Sequence, residues 1–235
     1  MNITIIHGSE RQGSTYHIAQ AFVDHLKTEG DTVTSFFLPR DMNAFCIGCA
    51  QCFSAGEQAC PHAAQTEPIH QAMVEADLLI FTTPVYVLRA SGQMKTLLDH
   101  FAYLFMTHRP DKQMFSKTAV VFSTGAGGGT KSAMKDITTS LRFWGVAKIH
   151  TVGSAVFASD WAGVDDKRKQ KLMRHVQKLA KQVKPTIGQA RAGMRTRVLF
   201  EMFRLFQLKF GYCPLDVTYW QEAGWLGKGR PWKRA

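Results

Sequence analysis

The chain contains no run of eighteen apolar residues, so no helix of it is expected to span a membrane. Its N-terminus lacks a basic segment followed by a long apolar one, and nothing there reads as a secretory leader. No Gly-x-Gly-x-x-Gly follows the first apolar run, and no glycine loop ends in Gly-Lys-Ser/Thr. A Rossmann NAD site and a P-loop ATP site are therefore not the first expectation. Helix-turn-helix, zinc-finger and basic–aromatic strand patterns are missing as well, which leaves nucleic acid a minor reading despite a net charge of +11. The charge is also unevenly placed. Residues 1–183 carry nineteen Lys/Arg against fifteen Asp/Glu, whereas residues 184–235 carry ten against three. The basic character belongs mostly to the tail.

Cysteine is scarce, five in 235 residues, yet four of them lie in the fifteen residues from Cys46 to Cys60. A secreted disulfide framework would spread its cysteines, and neighbours two residues apart are poorly placed to pair. With the missing leader, this predicts a reducing, cytoplasmic setting. Cys46-x2-Cys49-x2-Cys52, followed by Cys60-Pro61, is a spacing that wraps thiolates around an iron–sulfur cluster. Zinc is the other metal that accepts four thiolates, though more often from two separated pairs. A loop that binds no metal is the third reading. His62, just beyond, is read as exposed rather than as a ligand, and Cys213 as structural.

The hydrophobic pattern alternates between strand and helix five times over residues 1–183. Asn2–His7 is a short apolar run, and Ile18, Ala19, Phe22, Val23 and Leu26 recur at helical intervals. Thr32–Leu38, Leu78–Phe81, Lys117–Phe122 and Ile149–Phe157 give four more strands. Helices are expected through Ile69–Val74, from Ser91 to Leu104, from Thr130, and through Leu172–Val183. Leu78-Leu79-Ile80-Phe81 is apolar without interruption, as a central parallel strand covered on both faces requires. The expected fold is α/β, a doubly wound five-stranded parallel sheet over residues 1–183.

Three loops fall at the carboxyl edge of that sheet, where such folds bind ligands. Gly8-Ser9-Glu10-Arg11-Gln12-Gly13-Ser14-Thr15 joins the first strand to a helix start, with Ser14 or Thr15 as the expected cap. Free backbone N–H groups, hydroxyls and Arg11 make it a phosphate cradle. Thr82-Thr83-Pro84-Val85-Tyr86-Val87 follows the central strand. Thr124-Gly125-Ala126-Gly127-Gly128-Gly129 follows the fourth, with enough glycine for backbone to approach a flat ligand. A planar, phosphorylated ligand fits all three, and flavin mononucleotide (FMN) is the one predicted. His7, before the first loop, reads as a packed histidine rather than a base.

Taken together, Gly8-Ser9-x-Arg11-x-Gly13-Ser14-Thr15, Cys46-Ile47-Gly48-Cys49-x2-Cys52, Thr83-Pro84-Val85-Tyr86 and Ser91-Gly92-Gln93-Met94-Lys95-x3-Asp99 resemble the flavodoxin-like NAD(P)H-dependent FMN reductase family, and within it the iron–sulfur flavoproteins. The resemblance covers roughly residues 1–157. It implies a flavin phosphate at Ser9, Arg11, Ser14 and Thr15. The ring would run beside Pro84, Val85, Tyr86 and Val87, with Thr124, Gly125, Ala126, Gly127 and Gly128 as the other wall. It also implies NAD(P)H as hydride donor, a small acceptor such as a quinone or a flavin, and a homo-oligomer. The iron–sulfur branch would assign Cys46, Cys49, Cys52 and Cys60 to a [4Fe–4S] cluster exchanging electrons with FMN, and a ferredoxin-like partner. The seven-residue gap before Cys60 is longer than the tightest form of that motif.

The resemblance leaves residues 184–235 unexplained. Lys184–Gly188 reads as a linker, and Met194–Phe210 as a helix with a broad apolar stripe among arginines. Such a helix packs on its own domain, joins a second subunit, or lies on an anionic membrane; packing is the expected outcome. The aromatic tail beyond it, from Tyr212 to Trp232, is expected over the flavin edge or a dimer seam. Three functions compete: a flavin reductase, an electron-transfer module with FMN and a cluster, and a flavin-free structural or regulatory protein.

Overall fold

A computed structural model describes residues 1–233; the last two residues of the expected extension lie outside the described ones. The strands β1 (Asn2–His7), β2 (Thr32–Phe37), β3 (Leu78–Pro84), β4 (Thr118–Gly125) and β5 (Lys148–Ala155) form one sheet in the order β2-β1-β3-β4-β5. All four pairings are parallel. The order reverses at β1/β3, which opens a crevice at the carboxyl ends of those two strands.

Helices α1 (Ser14–Asp24), α2 (Gln51–Ser54), α3 (Ala63–Glu75), α4 (Gly92–His100), α5 (Thr130–Phe143), α6 (Asp166–Val183), α7 (Met194–Lys209) and α8 (Pro214–Glu222) complete the chain. Alternate side chains of β3 serve opposite faces. Leu78 and Ile80 pack with Phe22 of α1 and Val176 of α6, while Leu79 and Phe81 pack with Met73 of α3, Leu97 of α4 and Ile137 of α5. Both faces are therefore dry, which explains the uninterrupted apolar run. The third helix starts at Ala63, earlier than the pattern from Ile69 indicates, and carries Pro68 inside it. Proline has no N–H for the carbonyl of Ala64, a residue that is exposed to solvent.

Residues beyond 184 build a third core. Phe200, Trp220 and Trp225 close around Met106 and Phe115, with Trp220 stacked on Phe200 at 4.8 Å between ring centroids. Side chains of the extension then serve the carbonyls of one passing strand of loop. Gln207 donates to Thr107 O (2.7 Å), Trp220 to His108 O (2.6 Å) and Tyr219 to Pro110 O (2.7 Å). The aromatic tail thus packs behind the 101–116 segment, and none of its described residues lines the crevice at the carboxyl edge, over which it was expected. Buried Arg109 ties the two together: its guanidinium donates to buried Asp216 of α8, to the carbonyl of Cys52 and to Glu57 (3.2 Å). Cys213 donates from Sγ to Phe53 O at 3.1 Å, in keeping with a structural role.

The inner side of α7 is buried through Phe200 and Gln207, yet Met194, Val198, Met202, Leu205 and Leu208 on its outer side are all at least half exposed. No helix of the described residues is long and apolar enough to cross a membrane.

Breaking a buried ion pair strands the remaining charge. Asp216→Asn is expected to cost about 3 kcal/mol, the low end for such pairs because Glu57 still faces Arg109. Asp99→Asn, in the exposed Lys95–Asp99 pair, is expected to cost no more than about 0.5 kcal/mol. Urea midpoints of the two variants check the contrast.

Candidate active site

The crevice at the carboxyl edge is a cleft of about 230 Å3. Between the lining residues His7 and Ser9 lies Gly8, whose N–H donates to Thr82 O at 2.7 Å. A Cβ at Gly8 would lie 2.8 Å from both Thr82 O and Ser91 Oγ, so only glycine permits this crossing. Ser91 completes the joint. Its hydroxyl donates to Gly8 O (2.6 Å) and accepts from Met94 N (3.3 Å) as the cap of α4, while its own N–H donates to Thr83 Oγ1 (3.0 Å).

Ser9, Arg11, Ser14 and Thr15 all line the cleft. The expected cap is corrected by one or two positions. Gly13 occupies the cap and offers no side chain, while Ser14 and Thr15 are the first two helical residues and are buried. The first-turn N–H groups of α1 consequently face the cleft without a side-chain acceptor, which is the arrangement that favours an anion. Thr15 is hydrogen-bonded through its hydroxyl to that of Thr124, joining the first loop to the third.

Of the ring-side residues expected from the sequence, Pro84, Val85, Tyr86, Thr124, Gly125 and Ala126 line the same cleft; Val87, Gly127 and Gly128 do not. Val85 N donates to Thr124 O (2.8 Å), and a Cβ on Gly125 or Gly129 would strike the Val85 side chain at 3.0 and 2.8 Å. The two walls are therefore packed against each other at their base. Tyr86 and Arg89 exchange backbone hydrogen bonds at 3.0 Å across a two-residue turn with Val87 and Leu88 at φ +48° and +61°. Both positions favour glycine or asparagine, and a β-branched valine there is strained. The turn holds Val87 97% exposed at the rim.

His7, Tyr16, Val156, Ala158 and Ser159 also contribute lining that the three loops do not account for. His7 is buried, stacks on Phe37 at 4.4 Å and meets Thr82 Oγ1 through Nδ1 at 3.2 Å. Burial pushes its pKa down to about 4. It is a neutral, packed histidine.

The cysteine run is a separate neighbourhood. Gly48 (φ +65°) and Ala50 (φ +59°) turn the chain on either side of Cys49. Cys46 and Cys49 are exposed; Cys52 and Cys60 are half-buried. The Cys52 thiol is pushed up first by burial, then by the thiols of Cys60 and Cys46, with Arg109 opposing and Cys49 adding a smaller push. One thiol with three others in electrostatic reach is a donor set that suits a cluster. Among the described residues, however, the three donors gathered closely enough for a single ion are Cys60, His62 and His100, within 4.8 Å of one another. His62 was not expected as a ligand, and His100 carries no local signal because its partners lie in another segment.

Parallel sheet, switch-point cleft and uncapped helix start together define a flavodoxin-like fold with a ligand-sized cleft at its carboxyl edge. Residues 1–163 match the family described as NADPH-dependent FMN reductase, and the chain belongs to that family. It is an enzyme that uses FMN and NAD(P)H to reduce a small electron acceptor. An iron–sulfur flavoprotein of Archaeoglobus fulgidus is 22% identical over 225 residues, 95% of this chain and 99% of the relative. Another, from Methanocaldococcus jannaschii, is 30% identical over 141 residues, 58% of this chain and 69% of the relative. An FMN-dependent NADH-azoreductase of Bacillus anthracis, solved with FMN, aligns with a TM-score of 0.59 at 14% identity over 78% of this chain and 100% of its own, a likeness of fold.

Because His7 is neutral in the folded state, the unfolded chain binds a proton that the native one refuses between pH 6.5 and about 4. Stability is present above the unfolded pKa and is lost as pH falls through this window, by about 3 kcal/mol at pH 4. His7→Gln is expected to flatten that part of the pH dependence, read from urea midpoints between pH 7 and pH 4. An unchanged slope would reject the assignment.

Proposed function

We propose that the cleft holds the FMN phosphate at Ser9, Arg11, Ser14 and Thr15, and the ring between Pro84–Tyr86 and Thr124–Ala126. The observation that carries this reading is the uncapped start of α1. It opens, beside Arg11, onto the same cleft that the two ring-side loops line. Bound FMN supplies the hydride and single-electron chemistry between NAD(P)H and the acceptor. The chain's own contribution is positional. The α1 amides and Arg11 balance phosphate charge, and the Val85–Gly125 contact fixes the spacing of the walls. Ser91 keeps the phosphate loop in register with β3. No side chain is assigned as acid or base. A flat acceptor of the quinone or flavin class suits a slot bounded by Tyr86 on one side and a glycine-bearing loop on the other.

A second reading adds a [4Fe–4S] cluster at Cys46, Cys49, Cys52 and Cys60, making the protein an electron-transfer module with a ferredoxin-like partner. The setting of Cys52 among the other three thiols supports it, as does the similarity to iron–sulfur flavoproteins along nearly the whole chain.

Arg11→Ala is expected to weaken FMN binding about 10- to 100-fold, the loss of one charge-assisted contact, with the fold intact by circular dichroism. Unchanged affinity in a flavin titration would remove the phosphate assignment. For the second reading, iron, acid-labile sulfide and flavin are quantified on one anaerobically purified sample. About four irons per chain, lost in Cys49→Ser while FMN is retained, is the result expected of the module. FMN without iron leaves the reductase.

A further inference from the structure

We propose that Cys60, His62 and His100 form a site for one divalent transition ion of the zinc class. The inference goes beyond the flavin reading and does not depend on it. Their donor atoms lie within 4.8 Å of one another, and His62 Nδ1 is 2.9 Å from His100 Nε2. Zinc bonds of 2.0–2.1 Å to nitrogen and 2.3 Å to sulfur put the donors of a tetrahedral ion roughly 3.3–3.6 Å apart. The nitrogens need only part slightly and the sulfur draw in.

The second observation is the far side of His100. Its Nδ1 donates to the carbonyl of Thr96, one turn back on α4, at 2.9 Å. That bond fixes the tautomer and leaves Nε2 as a lone-pair donor aimed at His62. A ligating histidine almost always has its other nitrogen tied to a carbonyl or carboxylate in this way. His100 is buried on a helix, a rigid post, while Cys60 and His62 come from one short segment with only Pro61 between them. One thiolate and two imidazoles match zinc chemistry and leave the fourth position to water. On binding, the Cys60 thiol releases its proton to solvent, the His62 proton leaves Nδ1 and is replaced by one taken up on Nε2, and the His62–His100 hydrogen bond gives way to two metal–nitrogen bonds. Cys60 is also the last thiol of the cysteine run. A given chain therefore holds either this ion or a four-cysteine cluster, not both.

The test is a Co2+ titration of the full-length FMN-loaded protein, freed of iron and sulfide, followed by Zn2+ competition. One cobalt per chain is expected, with tetrahedral d–d bands and a thiolate-to-cobalt charge-transfer band, both displaced by zinc. His62→Gln, His100→Gln and Cys60→Ser are each expected to weaken binding by more than about 100-fold, beyond the 10- to 100-fold that losing an outer partner costs. Flavin content and circular dichroism report the fold of each variant. His62→Gln, on a half-buried loop position, carries the test should His100→Gln unfold. A Cys46→Ser/Cys49→Ser double variant is expected to bind cobalt as before. Cobalt that follows Cys46 and Cys49 while ignoring His62 overturns the proposal, as does the absence of stoichiometric binding in a protein that retains FMN.

Discussion

The hydroxyl of Ser91 is the joint on which the cleft depends. It donates to Gly8 at the head of the Gly8–Thr15 loop and caps α4, while the backbone of the same residue is held by Thr83 at the end of β3. The Gly8 loop, 83 residues away, is thereby fixed at one buried point to the successive elements β3 and α4. A hydrogen bond of this kind contributes only about 1 kcal/mol net, yet leaving its partners unpaired inside the protein costs more. Gly8 is the matching half of the joint, since any side chain there would enter the space of Ser91 and Thr82. The cleft inherits its shape from this contact and from the packing of Val85 against the glycine loop.

A second buried centre, Arg109, does for the cysteine run what Ser91 does for the cleft. Its guanidinium spans the loop through Cys52 and Glu57 and the extension through Asp216. Around it the aromatic core of Phe200, Trp220 and Trp225 excludes water, which strengthens the pair and raises the penalty for breaking it. The extension that looked like an appendage by composition is the wall against which the cysteines are held. Its positive charge is partly consumed internally: Arg204 and Arg230 serve carbonyls of the last loop, and Arg230 also meets Glu201.

Much of this was legible in the order of residues. β3 declared itself because a strand covered on both faces is apolar throughout, and the cleft because glycines and hydroxyls recur directly after strands. The cap of α1 was misplaced because Gly13 and Ser14 are both good cap residues, and only the backbone shows which one turns. Val156, Ala158 and Ser159 join the cleft without any local signature, since they arrive there through the pairing of β5 with β4. The tail was illegible for the same reason at longer range. Trp220 finds its acceptor 112 residues back, and no periodicity encodes that distance. His62 and His100 belong to this class: 38 residues separate two rings that touch.

The position of Asp216 near the end of the chain sets an order of events. A ribosome releases the cysteine run about 160 residues before the carboxylate that braces Arg109 behind it, a delay on the order of ten seconds or more at typical elongation rates. β1 likewise waits for β3, which begins 76 residues after it, before its second edge is paired, as parallel sheets require. Throughout that interval the thiols ride on an unbraced loop. Bracing of the Cys52–Glu57 stretch in its final geometry is thus a late step, one that follows synthesis of α8.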